Sequence, residues 1–177
     1  MYVVNPKEKE LYYQSVESGS TERGVYAVKI NGKGKRLIQV AKGTNGASFS
    51  ANGDYYIHSF SDEYTPPKFS LYQTKKNRLL GTFLDNEKLK NEIEEYQFNN
   101  LEFSTVAING EQLNMWMIKP KDFDPSKKYP LLLFQYSGPG AQQVSNRWGD
   151  EKLIWHKNLA NQGYIIACLD GRGTGFK

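Results

Sequence analysis

The sequence has 177 residues, of which 38% are hydrophobic and 14% are aromatic, with 12 Tyr and 9 Phe. One domain of roughly 100 to 200 residues fits this length, and the composition favours half-buried β-sheet surfaces over disorder. The net charge of +4 arises from lysines and arginines scattered along the chain, whereas a nucleic-acid interface needs basic side chains clustered on one face. We therefore expect no nucleic-acid partner.

The single cysteine, Cys168, excludes an internal disulfide and any zinc site built from several cysteines. It lies in the apolar run 164–169, which predicts a small buried hydrophobic side chain rather than a reactive thiol. No apolar run approaches the roughly 18 residues that cross a bilayer, and residues 1–6 lack the layout of a secretory signal. We expect no membrane segment in this chain, and its own residues leave the compartment undecided.

Residues 11–83 consist of short β-type runs separated by turn residues. Segments such as Asn31-Gly32-Lys33-Gly34 and Ala51-Asn52-Gly53 supply the positive φ values that tight turns need. The pattern predicts an antiparallel meander. Its seven predicted strands are 11–17, 24–30, 36–41, 46–50, 54–61, 68–74 and 78–83.

The corner at 49–57 resembles the turn between the first two strands of a β-propeller blade. On this interpretation, residues 46–83 form one four-stranded blade, and residues 11–41 supply the last three strands of the blade before it. Because a propeller typically closes with four to eight blades, this half of the chain is expected to be the end of a larger propeller.

The second half predicts a different architecture. A connecting helix is expected at 85–96, followed by a hairpin of strands 101–108 and 112–119 around Asn109-Gly110. The run 129–136 has the continuous apolar character of a strand buried on both faces, a helix at 150–162 stops at Gly163, and 164–169 is a further buried strand. A hairpin followed by strand, helix and strand is how an α/β-hydrolase sheet begins.

The predicted fold class is therefore mixed and β-rich. The last blades of a propeller occupy residues 1–84, and a connecting helix and linker occupy residues 85–100. The N-terminal strands and first crossover helix of an α/β-hydrolase sheet occupy residues 101–177.

Two strand exits carry a family resemblance. Tyr136-Ser137-Gly138-Pro139 and Asp170-Gly171-Arg172-Gly173, with the strand entry at 119–130, resemble the prolyl oligopeptidase family of serine peptidases and, within it, the dipeptidyl peptidase IV branch. The resemblance implies a parent exopeptidase that releases N-terminal dipeptides, with Pro or Ala at the second position, through a serine ester. It also implies peptide substrates, an exported homodimer and no cofactor or metal.

The resemblance implies one catalytic residue, Tyr136, whose hydroxyl donates a hydrogen bond to the oxyanion of the tetrahedral intermediate. Gly138 and Pro139 are expected to shape the loop that holds it. Asp170 and Arg172 are expected to form a buried charge pair at the next strand exit, where each charge satisfies the other.

The catalytic triad is not expected in this chain, because no Gly-x-Ser-x-Gly nucleophile motif occurs. Ser48 lies in a near match but is predicted to be a strand residue. His58 is predicted on a propeller-type strand. His156 is predicted on the crossover helix with Asp170 after it rather than before it, so that the order required of a triad fails. We expect the segment alone to be inactive and to self-associate through exposed sheet edges.

Two alternatives remain open on the residues. An acyl-peptidase, oligopeptidase or esterase of the same clan has a similar first strand, and upstream paired glutamates would distinguish the dipeptidyl branch. A propeller-based binding or scaffolding protein without chemistry is the second, and absence of the nucleophile motif from the parent would favour it.

Overall fold

The computed structural model describes residues 1–39, 42–136, 138–149 and 151–175. Within these residues the chain forms three four-stranded β-sheets and two α-helices, which divide into two compact units. The first unit contains Met1–Leu89 with Asn146–Trp148, and the second contains the described residues of Lys90–Ser145 and Gly149–Lys177. The β-rich fold predicted from the sequence is confirmed.

The first sheet is an antiparallel meander in chain order. The three strands predicted over residues 11–41 are confirmed, and Val3–Asn5, which was not predicted, adds a fourth strand to the sheet. Three residues are too few to show an alternating pattern, and this strand is defined by pairing, for example of Val3 with Tyr12. The last two residues of the predicted strand 36–41 lie outside the described residues. The strands of this sheet are β1 (Val3–Asn5), β2 (Glu10–Ser15), β3 (Gly24–Lys29) and β4 (Arg36–Gln39).

The second sheet confirms the four-stranded meander predicted over residues 46–83. Its last two strands are joined by a short 3-10 turn, Lys75–Asn77, at the predicted turn position. Lys76 and Asn77 both have positive φ there, 63° and 49°. The strands of this sheet are β5 (Thr44–Phe49), β6 (Tyr55–Ser61), β7 (Lys68–Gln73) and β8 (Arg78–Leu84).

Aromatic side chains from both sheets build the core of the first unit. The ring centroid of Phe49 lies 4.9 Å from that of Tyr12 and 5.0 Å from that of Tyr56, which stacks on Tyr72 at 5.1 Å. Aromatic pairs at such spacings contribute about 0.5 to 1.5 kcal/mol beyond their buried area. The stack therefore joins the two sheets into one hydrophobic core.

Asn146 belongs to the first unit although most of its sequence neighbours belong to the second. Its backbone N–H donates to the carbonyl oxygen of Thr21 at 2.8 Å, and its own carbonyl oxygen accepts from Thr44 Oγ1 at 2.8 Å. Its side-chain Nδ2 donates to the Glu22 carboxylate at 3.1 Å, and Oδ1 accepts from the Glu63 N–H at 3.2 Å. Every polar group of this residue is thus paired within the first unit.

The connecting helix is confirmed as α1 (Glu87–Glu94), two residues shorter at each end than predicted. Asp85 Oδ1 accepts a hydrogen bond from the N–H of Glu87 at 3.3 Å, which satisfies one of the unpaired donors that begin a helix. Among the described residues, no helix combines the length and the apolar character that spanning a bilayer requires.

The second unit contains strands β9 (Glu102–Ile108), β10 (Glu111–Ile118) and β11 (Leu131–Phe134), helix α2 (Glu151–Asn161) and strand β12 (Ile165–Leu169). Its four strands form one mixed sheet in the order β11-β12-β10-β9. The predicted hairpin turn at Asn109-Gly110 is confirmed, with φ values of 51° and 82° that suit a two-residue turn. The predicted parallel pair is confirmed as well, because β11 and β12 run parallel and α2 lies between them in sequence.

One face of this sheet is covered and the other is open at β11. Helix α2 packs on the face that carries Trp116 and Ile166, and Leu132 and Phe134 contribute to the same cluster. Residues 131 and 133 point to the opposite face and are 62% and 53% exposed. The prediction that this strand is buried on both faces is therefore wrong for the described chain, in which α2 covers a single face.

Candidate functional site

Tyr136 lies two residues after the end of β11 and is 67% exposed. Its ring lies against the Cα atom of Gly138, so closely that a Cβ atom on Gly138 would stand 2.5 Å from Tyr136 Cε1 and 3.2 Å from its hydroxyl oxygen. Glycine is the residue that leaves this space free. The loop continues through a turn in which the N–H of Ala141 donates to the carbonyl oxygen of Gly138 at 3.0 Å.

Asp170 follows β12, the strand paired with β11, and is 2% exposed. Its Oδ1 accepts a hydrogen bond from the backbone N–H of Gln143 at 2.8 Å, and its Oδ2 accepts one from the N–H of Val144 at 2.9 Å. Its own N–H donates to the carbonyl oxygen of Asn114 at 3.0 Å. The carboxylate is therefore held by the loop that follows Tyr136.

The expected charge pair between Asp170 and Arg172 is not formed, and that prediction is wrong. The side chain of Arg172 is 79% exposed, and Nη2 lies 4.0 Å from Glu111 Oε1. Two backbone N–H groups already satisfy the Asp170 carboxylate, so that burying it needs no guanidinium partner.

The turn after β12 makes a second contact with the Tyr136 loop. The N–H of Gly140 donates to the carbonyl oxygen of Gly173 at 3.0 Å, and a Cβ atom on Gly175 would lie 3.0 Å from the carbonyl oxygen of Gly140. Thr174, which is 1% exposed, closes this turn by donating from Oγ1 to the carbonyl oxygen of Gly171 at 2.7 Å. The two strand exits singled out in the sequence are thus joined.

Ser48, His58 and His156 occupy structural positions. Ser48 pairs with Ile57 within the second sheet and is a strand residue, as predicted. His58 lies on β6, is 8% exposed and shares a 2.9 Å hydrogen bond between Nε2 and Asn45 Oδ1. Burial lowers the pKa of His58 to about 4, so that it is neutral near pH 7.

His156 is a core residue of the second unit. It is 3% exposed, and its ring centroid lies 5.1 Å from that of Phe134 and 5.8 Å from that of Trp116. A ring packed on this side of the sheet serves the hydrophobic core. Across the described ranges, no group of three or more His, Cys, Asp or Glu side chains is arranged to hold a metal ion.

The sequence did not reveal the backbone donors of Gln143 and Val144. An N–H group exists at every residue except proline, so that its use leaves no mark in the sequence. The usable signal was Asp170 itself, because a carboxylate directly after an apolar strand requires partners within reach. The geometry that remains for chemistry is an exposed phenol on a loop braced by a buried carboxylate.

Comparison with known proteins finds similar sequences and a similar structure. A model of the "Dipeptidyl peptidase IV (DPP IV) N-terminal region" matches residues 1–67. A probable dipeptidyl-aminopeptidase B from Phaeosphaeria nodorum is 34% identical over 176 residues, which are 98% of this chain and 19% of that protein. The dipeptidyl peptidase 4 of Trichophyton rubrum is 36% identical over 183 residues, covering 98% of this chain and 23% of the relative.

A solved structure agrees with these relatives. The crystal structure of Porphyromonas gingivalis dipeptidyl peptidase 4 matches 98% of this chain and 24% of that one, with a TM-score of 0.91 and 40% sequence identity. The chain spans about a fifth to a quarter of the length of the proteins that it matches. Over nearly all of its residues the chain is therefore similar, in sequence and in structure, to a segment of dipeptidyl peptidases.

Proposed function

We propose that this chain forms part of a serine exopeptidase that releases dipeptides from the N-termini of peptides, with Pro or Ala at the second position. Its role in that enzyme is to supply Tyr136 as a hydrogen-bond donor to the oxyanion. The relatives, whose names describe dipeptidyl peptidases, support the activity. The exposed phenol at the exit of β11 is the single observation that supports the residue.

The architecture proposed for this role has two parts. Residues 1–84 form the end of a β-propeller, which restricts entry to small peptides, and residues 101–177 form the start of an α/β-hydrolase sheet. Two successive four-stranded antiparallel sheets support the first assignment, and a parallel strand pair joined through α2 supports the second.

The chemistry requires a donor at the position of Tyr136. When a serine attacks a peptide carbonyl, negative charge develops on the carbonyl oxygen, and a preorganised donor stabilises the transition state more than the substrate. A phenol hydroxyl is a suitable donor, and the contact of its ring with Gly138 limits the positions it can adopt. Removal of one such donor typically lowers kcat by about 10²- to 10³-fold.

A chimeric enzyme tests this proposal. Residues 1–177 replace the matching segment of the P. gingivalis dipeptidyl peptidase 4, and hydrolysis of a glycyl-prolyl chromogenic substrate is measured. We expect the chimera to be active, and Tyr136→Phe to lower kcat by about 10²-fold or more with little change in KM.

The matched control is Tyr164→Phe, which removes a phenol hydroxyl from a half-exposed tyrosine just before β12. This control should retain the kcat of the chimera. An unchanged kcat in Tyr136→Phe would contradict the assigned role, and preference for acylated or internal peptide bonds would favour another member of the clan. The 177-residue chain alone should not hydrolyse the substrate, since its sequence contains no Gly-x-Ser-x-Gly motif.

A further inference from the structure

Asp170 is a buried carboxylate close in the fold to the proposed donor, and its surroundings restrict what it can do. A general acid or base needs an oxygen atom free to reach a proton of the substrate. Both oxygens of Asp170 instead accept backbone hydrogen bonds, at 2.8 Å and 2.9 Å, and the residue is 2% exposed. Both carboxylate oxygens are therefore occupied by hydrogen bonds from the protein's own backbone.

The two donors belong to the loop that begins at Tyr136. Val144 is fully buried in the core of the second unit, and Gln143 precedes it. Further back along the loop, the N–H of Gly140 is held by the carbonyl oxygen of Gly173 at 3.0 Å. The segment after β12 thus holds three backbone donors of this loop, those of Gly140, Gln143 and Val144, and two of them bind one carboxylate.

The same loop supports the phenol. The ring of Tyr136 rests on Gly138, whose carbonyl oxygen accepts from the N–H of Ala141 in a tight turn. A shift of the loop would carry Gly138 with it and remove the surface against which the ring lies. Hydrogen bonds to a charged acceptor are stronger than those between neutral groups. The two hydrogen bonds to Asp170 are therefore the strongest of those that hold this loop.

We propose that Asp170 is a positioning residue for Tyr136: by accepting the N–H groups of Gln143 and Val144, its carboxylate fixes the loop that holds the phenol in place for the oxyanion. This inference rests on the proposed function of Tyr136. The sequence suggested a salt bridge between Asp170 and Arg172. In the structure Asp170 instead binds the backbone of the loop that follows β11.

The first experiment measures the brace itself and needs no activity. Amide hydrogen exchange is followed by NMR in the 177-residue chain and in its Asp170→Asn variant. The carboxamide keeps the shape of the side chain but presents an N–H₂ group to one of the two donors. We expect the amides of Gln143 and Val144 to exchange about tenfold faster or more, in line with the loss of a charged acceptor.

The matched control is Asp124→Asn. Asp124 also accepts a backbone hydrogen bond, from Ser126 at 2.9 Å, but in an exposed turn before β11. It should leave exchange at Gln143 and Val144 unchanged. Unaltered exchange of both amides in Asp170→Asn would overturn the proposal.

The second experiment measures the consequence in the active chimera. Asp170→Asn should lower kcat about tenfold or more with little change in KM, because hydrogen bonds to charged groups are among the stronger ones and the defect lies in the transition state. In the Tyr136→Phe background the same substitution should lower kcat by less than about twofold, because two residues acting through one interaction are not additive.

The outcomes separate the two hypotheses. If Tyr136→Phe leaves kcat intact, the proposed function fails, while the exchange experiment still decides whether Asp170 braces the loop. If Tyr136→Phe lowers kcat but Asp170→Asn does not, or if the two effects multiply, the positioning role alone is overturned. Asp170→Ser provides a smaller variant, and loss of cooperative thermal unfolding in both variants would show a role in stability instead and overturn it.

Discussion

Gly138 has no side chain, and this leaves space for the ring of Tyr136. Its φ lies outside the positive range, so that an alanine would fit the backbone, but the added methyl group would stand 2.5 Å from Tyr136 Cε1. We expect Gly138→Ala to displace the phenol ring and to lower kcat of the chimera about tenfold or more, with a loss of at most about 1 kcal/mol of stability. Steady-state kinetics and thermal unfolding measure the two effects.

The control for this substitution is Gly110→Ala, at the hairpin turn. Gly110 has a positive φ of 82°, and no heavy atom lies within 4 Å of a Cβ placed there. Backbone strain of about 1 to 2 kcal/mol should lower the melting temperature without affecting kcat. An unchanged kcat in Gly138→Ala would show that the contact between Gly138 and the Tyr136 ring has no role in function.

The stability of the first unit is expected to depend on pH through His58. Its pKa falls from an ordinary value of 6.5 to about 4 because of burial, so that the unfolded chain binds more protons than the folded chain between these values. The free energy of unfolding should therefore decrease as the pH falls through this window, by up to about 3 kcal/mol. Urea denaturation at pH 7 and pH 4.5 measures the loss.

His58→Gln is the matched variant for this measurement. Glutamine is polar and retains hydrogen-bonding capacity toward Asn45 but does not titrate in this range. It should show a smaller loss of stability between the two pH values than the parent chain. Equal losses in both proteins would assign the acid sensitivity to other groups.

Among the elements, the segment Asn146–Trp148 is the least expected, because it completes a unit from which it is remote in sequence. The side chain of Asn146 pairs with both Glu22 and the N–H of Glu63. Truncation would leave these groups without their amide partner, and a lost hydrogen bond to a charged group costs about 1.5 to 3 kcal/mol. We expect Asn146→Ala to lower the free energy of unfolding by about that amount, as measured with urea.

Asn100→Ala is the control for Asn146→Ala, since residue 100 is exposed in the linker before β9. A change within about 0.5 kcal/mol is expected there, as for most surface substitutions. If the two variants are equally stable, the hydrogen bonds of Asn146 contribute nothing measurable to the unit.

For the whole molecule, sequence patterns predicted the features that depend on a few neighbouring residues, such as turns and helix ends. Asn109-Gly110 identified the hairpin because both positions need positive φ, and Gly163 identified the end of α2 with a φ of 94°. Strand β1 escaped prediction because its existence depends on pairing with β2. The partners of Asp170 escaped because backbone donors carry no side-chain signature, and the open face at β11 reflects which elements cover the sheet rather than the apolar character of the run.

Exposed apolar surface on an edge strand predicts the behaviour of the chain in solution. Strand β11 lies at the edge of its sheet and exposes 62% of Leu131 and 53% of Leu133. Unpaired edges with apolar side chains favour intermolecular pairing. We expect the 177-residue chain to self-associate at micromolar concentrations, and a Leu131→Lys, Leu133→Glu double variant to shift it toward monomer in light scattering.

The control for self-association is Ile108→Lys, which adds a charge beside the hairpin turn at the far edge of the same sheet. It should change the association less than the double variant does. A sharp monomer for the unmodified chain would contradict the prediction outright.

Cys168 offers a built-in reporter on the second unit. It is the only thiol in the sequence and is fully buried, and burial, with Asp170 nearby, raises its pKa to about 12. A thiol-reactive dye at pH 8 finds almost no thiolate in the folded state, so that labelling proceeds only in molecules whose sheet has transiently opened. The rate at which the dye labels Cys168 thus measures how often β12, the strand that leads to Asp170, opens locally, without any engineered probe.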